Sequence, residues 1–561
     1  MTAYVKWIWR DNPDCRWAVR LPQALWQCQN YTSQHTAEED YERMCHLISC
    51  GGPLDPTYMK TPPRKEGLYP FEKFYLSEQP LMDPLLAANE SLSVVTFLNK
   101  SKSFTIGDTI SLRIDLKDGY GHHKTKGGDV VRAWLKGLDD YNRMMMEMRD
   151  HGNGTYTATV RLMWAARVAR VKVALAYPRE YLRALVHLQL VMKSLKLSAG
   201  AFNNSEADEA TPCSHLPLIP GHEPEDVCNL TDVNGSPWYC GRPIKDKLNC
   251  SDFLGSRNLP MPWKERPFLP VTEAEARLLD RSNFEPRIHL MGPKLEIHIE
   301  PDAKKNRLLR SPVPCTKVKP AITWQQKSPN GFFYDEVWHP FMCTPKPATI
   351  DCYKNLRMVS LGDSNVRSQH QYACDDTSSK HLQKALYKAW HAPLSCENKK
   401  LNFTSVWYPH GNPFMSSNWV WAEYGSLIPT SHAIDDLPST GRTLVLLHHY
   451  LHLTTGHMTS MEAMHRSIHA AVVRLLKRNP QARVMIRGPH AAYEGWACHY
   501  AAGDMLVPQV EDLVANIYKD VQDRVFYFSP MDMTTATENM EFHPDVQWHI
   551  YAAMMSIMCG R

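Results

Sequence analysis

The chain lacks a long hydrophobic run. None of its 561 residues lies in a segment of the roughly 18 consecutive apolar residues that a transmembrane helix needs, so we expect no membrane span. Residues 1–28 contain several tryptophans, but charged side chains interrupt them, and no apolar core of the length that a secretory signal requires is present. Because other features indicate secretion, we expect the true start of the protein to lie upstream. A cytosolic start is the alternative.

A strong net charge and a zinc-type cysteine spacing are also lacking. The formal net charge is +4 over 561 residues, which is nearly neutral and gives no electrostatic reason to expect nucleic acid or an anionic membrane surface as a partner. No Cys-x-x-Cys pair occurs, which argues against a zinc site. We therefore expect no bound metal and no tightly bound cofactor.

What the chain does contain is a surplus of cysteines and glycan acceptors. Its 15 cysteines are clustered, and we expect the clusters 213–250 and 315–352 to be largely disulfide-bonded. The odd count leaves at least one cysteine unpaired or bonded to another chain. Asn-x-Ser/Thr sequons exceed the roughly three expected by chance, which predicts a secreted or Golgi-lumenal glycoprotein. The sequons begin at Asn30, Asn89, Asn99, Asn153, Asn203, Asn229, Asn234, Asn249 and Asn402.

Four regions differ in composition, and they predict a multidomain protein. Residues 1–90 form an irregular lead-in that contains Cys and Trp, and residues 201–327 form a Cys-rich loop region followed by a linker. In residues 91–200, polar and apolar side chains alternate over several strand-like segments that Gly- and Asp-rich turns separate. This pattern predicts an N-terminal immunoglobulin-like β-sandwich. The segments are 93–98, 109–116, 155–162 and 166–173.

The pattern changes from residue 328 to strands that alternate with helices. Apolar residues recur at helical spacing over 461–476 and 510–521, between short strand candidates. Such alternation predicts a C-terminal α/β domain, residues 328–561, built on a parallel sheet with helices on both faces. The strand candidates are 356–361, 443–447, 483–487 and 524–528.

A glycine turn with a serine follows the first of these strands. The sequence Gly362-Asp363-Ser364-Asn365 can present the Ser364 hydroxyl at the carboxyl edge of the sheet, where open α/β folds bind their ligands. The backbone N–H of Asn365 is placed to stabilise an oxyanion. Such a string in a surface turn is more often only a turn, so the serine needs support from elsewhere in the chain.

That support comes from an acid and a histidine near the C-terminus. A serine hydroxyl needs a base to become a nucleophile, and the base needs an acid to orient it. Glu541 and His543 supply both from one short segment. A competing pair, Asp545 and His549, is four residues apart on a predicted helix, where it can form a simple surface contact.

These motifs, with their neighbours, resemble a known family. Residues 328–561 resemble the PC-esterase domain of the SGNH hydrolase superfamily and, more closely, the NXPE family of neurexophilin and PC-esterase domain proteins. Short motifs in residues 90–250 resemble the neurexophilin half of the same family. The C-terminal motifs are Ser328-Pro329-Asn330-Gly331-Phe332-Phe333, Val337-Trp338-His339-Pro340, Leu361-Gly362-Asp363-Ser364-Asn365-Val366-Arg367, His410-Gly411-Asn412-Pro413-Phe414, His448-His449-Tyr450 and Phe542-His543-Pro544.

The resemblance implies a role for each site residue. Ser364 would be the nucleophile and would contribute its own N–H to the oxyanion hole, and His543 would be the base. Glu541 would orient the imidazole. Gly411 would offer a second N–H to the oxyanion, and His449 would face the developing charge. Arg367 would either bind an anionic substrate group or support the loop, and both alternatives are open.

Three functions of different classes fit the sequence. The first is a glycan O-acyltransferase or esterase that moves an acetyl group onto or off a sugar hydroxyl, with acetyl-coenzyme A as donor and a glycan or glycoprotein, such as one bearing sialic acid, as acceptor. The second is a secreted ligand for a neurexin-like cell-surface receptor with a degenerate esterase half. The third is a structural glycoprotein. Intact serine, histidine and acid favour the first.

Overall fold

A computed structural model describes residues 68–559, apart from 139–140, 193–196, 218, 220–221, 260–270, 282–287, 303–310, 383–392, 411–427, 455, 493–503 and 540. Most of the predicted lead-in therefore lies outside the described residues. Two predicted functional positions, Asn30 and Gly411, also lie outside the described residues. So do five cysteines, which are Cys15, Cys28, Cys45, Cys50 and Cys498.

The described chain is a β-rich, multi-sheet protein. Its strands are β1 Val94–Phe97, β2 Ser103–Thr105, β3 Thr109–Asp115, β4 Val130–Gly137, β5 Arg143–Met145, β6 Glu147–Asp150, β7 Thr155–Arg161, β8 Ala166–Tyr177, β9 Leu197–Asn203, β10 Asp208–Ser214, β11 Val227–Asn229, β12 Tyr239–Gly241, β13 Phe253–Leu259, β14 Leu290–Glu300, β15 Gly331–Tyr334, β16 Val337–Pro340, β17 Leu356–Gly362, β18 Lys380–His381, β19 Leu394–Asn398, β20 Phe403–Pro409, β21 Arg442–His448, β22 Ala482–Arg487 and β23 Val525–Phe528. Its α-helices are α1 Pro70–Leu76, α2 Arg179–Met192, α3 Thr231–Asn234, α4 Glu273–Arg281, α5 Pro320–Thr323, α6 Ser364–Asp376, α7 Thr430–Asp435, α8 Met458–Arg478, α9 Val507–Ile517, α10 Met531–Ala536 and α11 Gln547–Met558.

Two sheets form the N-terminal sandwich. One has the strand order β1-β3-β7-β6, and the other has the order β16-β15-β5-β4-β8-β14-β2. In β3 and β7 every second side chain is buried, as the alternation in their sequences predicts. These buried side chains meet those of β4, β8 and β14 in one apolar core. The assignment of this sandwich to the immunoglobulin-like class stays a prediction.

The sandwich sheets use more of the chain than residues 91–200. Strand β14 pairs antiparallel with β8 and parallel with β2, although the sequence analysis expected residues 201–327 to be loops and linker. Strands β15 and β16 extend the same sheet from beyond residue 328. Strand pairing between distant segments leaves no local sequence signal, which explains why these strands were not attached to the sandwich.

A small sheet with two disulfides occupies the centre of the chain. Its strand order is β11-β12-β10-β9-β13. Cys213 is bonded to Cys240, and Cys228 is bonded to Cys250. The predicted disulfide bonding of this cluster is confirmed. The second predicted cluster is also bonded, through Cys315–Cys343 and through a long-range bond between Cys352 and Cys559, and a further bond joins Cys374 to Cys396.

The C-terminal sheet carries the predicted serine. Its order is β18-β19-β20-β17-β21-β22-β23, and the run from β20 to β23 is parallel, while β18 and β19 are antiparallel additions at one edge. Helices α2, α8 and α9 cover one face, and helices α6 and α11 cover the other. Because both faces are covered, the strands β17, β21 and β22 are buried almost along their whole length.

Helix α2 is the element that the sequence analysis missed. It follows the sandwich strand β8 directly, yet its side chains Leu182, Leu185 and Leu188 are buried in the core beneath the C-terminal sheet. Gln189 donates a hydrogen bond to the carbonyl oxygen of Thr454, 2.8 Å away. The N-terminal and C-terminal halves therefore share one hydrophobic core.

Over the ranges that the structure describes, no helix combines the length and the apolar character that crossing a bilayer requires.

Candidate active site

Ser364 lies at the carboxyl end of strand β17, as its position after an apolar run predicts. Gly362 closes the strand with a φ of +144°, and a Cβ at this position would lie 2.0 Å from the carbonyl oxygen of His448, so only glycine fits. Asp363 then caps helix α6, because its Oδ1 accepts a hydrogen bond from the backbone N–H of Asn365 at 2.8 Å. Ser364 is thereby held as the first residue of the helix.

Ser364 and His543 meet, although 179 positions separate them in the sequence. The Ser364 Oγ and the His543 Nε2 are 2.5 Å apart, within hydrogen-bond distance. Burial lowers the pKa of His543 to about 4; the charge of Asp363 opposes this shift, and the charges of Arg367 and Arg487 add to it. His543 is therefore neutral near pH 7, which is the state in which an imidazole can accept a proton from a hydroxyl.

Among the described residues, the carboxylate whose charge raises the pKa of His543 is that of Asp363, which the sequence did not single out for this purpose. Glu541, the predicted acid, has an exposed side chain, and its carbonyl oxygen accepts a hydrogen bond from Asn539 at 2.8 Å. Asp363 is buried. Burial alone would raise the pKa of the Asp363 carboxyl, but the nearby charges of His448, His452, Arg487 and His410 outweigh that effect and lower it below the usual range. The orienting role of Glu541 stays a prediction.

The alternative pair of Asp545 and His549 lies elsewhere. The ring of His549 packs edge-on against Phe333, 5.5 Å away. Burial lowers the pKa of His549, and the nearby charge of Glu336 partly opposes this shift. Asp545 is exposed. His549 therefore faces the hairpin of β15 and β16, not Ser364.

The three backbone N–H groups that were predicted to bind the oxyanion differ in their surroundings. The N–H of Ser364 belongs to the first turn of α6, where backbone N–H groups have no acceptor within the helix, so it is available. The N–H of Asn365 is engaged by Asp363, which corrects the expectation that it faces the oxyanion. Gly411 lies outside the described residues.

His448, not its neighbour His449, reaches the serine turn. His449 is buried and shares a hydrogen bond of 2.9 Å with the hydroxyl of Thr430. The Nε2 of His448 lies 3.6 Å from Asp363 Oδ2, and its Nδ1 lies 3.0 Å from the carbonyl oxygen of Arg487. His448 is the last residue of β21 and pairs in register with Gly362. That register brings His448, and not His449, to the serine turn, and no local pattern in the sequence reveals it.

Arg367 packs against strand β20, next to the serine strand β17. Its guanidinium group lies over the ring of Trp407, 5.6 Å from the centroid, and burial lowers its pKa to about 10. Of the two alternatives that the sequence left open, this contact favours the supporting role.

The sequons differ in accessibility. The side chains of Asn153, Asn203, Asn229, Asn249 and Asn402 are exposed, and those of Asn89 and Asn99 are half-buried. Asn234 is buried, and its amide nitrogen donates to the carbonyl oxygen and the hydroxyl of Ser236 at 3.3 Å and 3.0 Å. This burial argues against a glycan on Asn234 in the folded protein, and glycosylation at the other sequons stays a prediction.

One group of residues has ligand-type side chains close together: His370, Cys374 and Cys396, all buried. The two sulfur atoms are bonded to each other, so neither is a free thiolate. Within the described residues this arrangement is a disulfide beside a histidine.

The solved structures to which the chain is similar include two with low scores. The Lin-41 filamin domain covers 16% of this chain and 86% of its own length, with 13% identity and a TM-score of 0.14. An active-site mutant of a family two carbohydrate esterase from Clostridium thermocellum covers 82% of this chain and 96% of its own, with 8% identity and a TM-score of 0.20. At these scores neither similarity supports an argument about fold or function.

A family model matches the region that contains the site. Residues 338–560 match the C-terminal domain described as NXPE family member 4-like. This range includes both Ser364 and His543, together with the strands β17 and β21 that position the serine turn. Residues 338–560 are therefore similar to this NXPE-family domain.

Proposed function

We propose that this protein is an SGNH-type acyl-transferring enzyme that moves an acetyl group onto or off a sugar hydroxyl of a secretory-pathway glycan. The observation that carries the proposal is the hydrogen bond between Ser364 and the neutral His543 at the carboxyl edge of a parallel sheet. A hydroxyl that shares its proton with a neutral imidazole is an activated nucleophile. The similarity of residues 338–560 to an NXPE-family domain supports the same reaction class.

In the first step, Ser364 attacks the carbonyl carbon of the acyl donor. His543 takes the hydroxyl proton as the new C–O bond forms, and the N–H of Ser364 donates to the oxyanion. The imidazolium then gives this proton to the leaving group as the bond between donor and acyl group breaks. We propose acetyl-coenzyme A as the donor, so the leaving group is a thiol, and an acetyl-serine remains.

In the second step, a sugar hydroxyl of a glycan or glycoprotein attacks the acetyl-serine. His543 accepts the proton of this hydroxyl and then returns a proton to the Ser364 oxygen when the ester bond to serine breaks. Water in place of the sugar gives hydrolysis by the same sequence of bonds. The buried carboxylate of Asp363 stabilises the imidazolium that both steps create.

A secreted ligand for a neurexin-like receptor is the alternative that the sequence left open. Such a ligand needs a sandwich that acts as a separate module. Helix α2, which continues from strand β8 of the sandwich, is buried in the core of the C-terminal half. This shared core supports a single catalytic unit over an independent binding module.

The proposal is tested by mass spectrometry of the intact protein after incubation with acetyl-coenzyme A. We expect one added acetyl group on the peptide that contains Gly362–Arg367, and no addition in Ser364→Ala. Ser368→Ala is the matched control, because Ser368 lies one turn further along α6 and is half-buried as well. Acetylation that persists in Ser364→Ala would refute the proposal.

A further inference from the structure

A chain of four buried polar side chains joins the start of the serine helix to the start of the helix that follows His543. Ser364 begins helix α6, and His543 lies four residues before Gln547, which begins helix α11. The two helices pack against each other. The geometry of the Ser364–His543 pair therefore depends on how these two helix starts are fastened together.

The fastening consists of Arg487, Gln547, Asn365 and Asp363, each at most 5% exposed. The Arg487 Nη1 donates to Gln547 Oε1 at 2.9 Å, and the Gln547 Nε2 donates to Asn365 Oδ1. The Asn365 Nδ2 lies 3.4 Å from Asp363 Oδ2, to which it can donate. Arg487 Nη1 also lies 3.3 Å from the carbonyl oxygen of Asn365, so it holds the serine helix directly.

The two end residues of this series of hydrogen bonds determine which groups donate and which accept. A guanidinium group can only donate hydrogen bonds, and an ionised carboxylate can only accept them. The amide of Gln547 must therefore turn its oxygen to Arg487 and its nitrogen to Asn365, and Asn365 must turn its nitrogen to Asp363. Since each amide has one donor side and one acceptor side, no other arrangement satisfies all three contacts in this buried region.

We infer that this directional relay, from Arg487 through Gln547 and Asn365 to Asp363, positions Ser364 against His543. The four residues are positioning residues. Gln547 and Asn365 set the distance between the two helix starts, and Asp363, at the acceptor end, is held where its charge acts on His543. The inference rests on the proposed function for its catalytic consequence. Whether the relay holds the two helix starts together can be tested by hydrogen–deuterium exchange, without any substrate.

The polarity of the relay makes isosteric variants informative. In Gln547→Glu, the carboxylate still accepts from Arg487, but it has no N–H for Asn365 and meets an amide oxygen instead. In Asn365→Asp, the carboxylate still accepts from Gln547, but it now lies beside the carboxylate of Asp363, and like charges repel. Both variants keep the size of the side chain, so a loss in either cannot be the effect of a cavity and must come from the changed hydrogen-bonding groups and their charge.

The experiment uses the full chain and two readouts. The first is the rate at which a fluorophosphonate, an acylation-mimicking probe for activated serines, labels Ser364. The second is hydrogen–deuterium exchange in peptides that cover residues 364–367 and 541–547. Gln369→Met is the matched control, because Gln369 is a fully buried glutamine on helix α6 that has no hydrogen bond to the relay residues. Thermal unfolding of each variant shows that the chain is folded.

We expect Gln547→Glu and Asn365→Asp to slow the labelling by at least about tenfold, because small displacements of reacting groups have effects of this size or larger. We expect both variants to exchange faster in the two peptides, and Gln369→Met to behave like the unsubstituted protein in both readouts. Labelling and exchange that are unchanged in Gln547→Glu and Asn365→Asp would overturn the relay. An unlabelled Ser364 in the unsubstituted protein would instead refute the proposed function, while the exchange data would still decide the relay.

Discussion

The strands of the sandwich and those of the C-terminal sheet differ in where their polar side chains lie. In β3 and β7, polar side chains alternate with buried ones and point to the outside of the sandwich. In β17, β21 and β22, almost every side chain is buried, and the buried ionisable side chains lie at the carboxyl ends of the strands, at Asp363, His448 and Arg487. Polar groups on a solvated face need no functional explanation, whereas buried charges concentrated at one sheet edge do.

If the proposed function is right, catalysis takes place at that edge, and substitution of the two reactive residues should have the strongest effect. Ser364→Ala and His543→Ala should each reduce acyl transfer by about 10⁴-fold or more, and the double variant should lose little further, because residues that act as one unit are not additive. Initial rates with an acetyl donor and a glycan acceptor measure this. Ser111→Ala in strand β3 is the control from the sandwich, and it should retain full activity. Losses that multiply in the double variant would contradict a shared mechanism.

Arg132 is an exception to this difference between the two sheets, because it is a buried charge on the sandwich strand β4. Its Nη1 lies 2.9 Å from Asp504 Oδ2, and Asp504 also accepts hydrogen bonds from Tyr177 and from the backbone N–H of Ala492. Arg132→Met would leave the Asp504 carboxylate buried without its cation, and the free energy of unfolding should fall by about 3–5 kcal/mol. Urea denaturation followed by fluorescence measures the loss.

A second arginine of the sandwich provides the control for this prediction. Arg113 pairs with Asp115 on the surface at 2.9 Å, and Arg113→Met should leave the free energy of unfolding nearly unchanged, because water screens an exposed ion pair. Equal losses in the two variants would mean that burial of the pair is not what matters. If Asp504→Asn in the Arg132→Met background restores stability, the cause is the unpaired carboxylate.

Helix α2 belongs to both halves of the molecule, so it tests whether the sandwich and the C-terminal sheet are separate units. Leu185→Ala should lower the free energy of unfolding by about 3 kcal/mol, since Leu185 is buried beneath the C-terminal sheet. Leu86→Ala is the control, because Leu86 is exposed. We also expect residues 328–561 alone not to fold. A well-folded fragment, judged by circular dichroism and a cooperative melt, would show that the halves are separable.

This helix also changes how a deletion experiment can be interpreted. Removal of residues 91–200 takes away α2 with the sandwich. A loss of receptor binding after that deletion would not identify a binding surface, because the C-terminal core would be damaged as well. Substitutions on the outer faces of β3 and β7 test the ligand alternative without this difficulty.

The smallest expected effect is the dependence on pH. His543 must be neutral to act as the base, and its pKa in the folded protein is about 4, so activity should stay constant from about pH 7 to pH 5 and fall only near pH 4. In the unfolded chain the same group has its ordinary pKa of about 6.5, so the unfolded state binds more protons between these values. Stability should therefore decrease as the pH falls from about 6.5 toward 4. Half-maximal activity near pH 6.5 would contradict the burial of His543.

The sequence predicted the elements with local patterns well. Alternation located β3 and β7, apolar runs located β17 and β21, and helical spacing located α8 and α9. The turn motif and the late histidine identified Ser364 and His543, whose hydroxyl and imidazole meet. These successes share one property, since each signal lies within a short window of sequence.

What the sequence did not predict depends on pairing across long distances. The position of β14 between β8 and β2 follows from hydrogen bonds between segments far apart in the chain. His448 was passed over for His449, because only the register of β21 against β17 decides which of the two reaches Asp363. Gln547 was not selected, because its partners Asn365 and Arg487 come from two other elements.

The bond between Cys352 and Cys559 links residues that are 207 positions apart, and it has a consequence for the order of events during synthesis. Cys352 lies just before strand β17, whereas Cys559 follows the last helix, α11. At about 5–20 residues per second, Ser364 leaves the ribosome roughly 10–40 s before His543 does. During that interval the nascent chain carries a serine without its base. The bond between Cys352 and Cys559 can form only after both His543 and Cys559 have emerged, so the Ser364–His543 pair and the ring that encloses it are completed at nearly the same stage of synthesis.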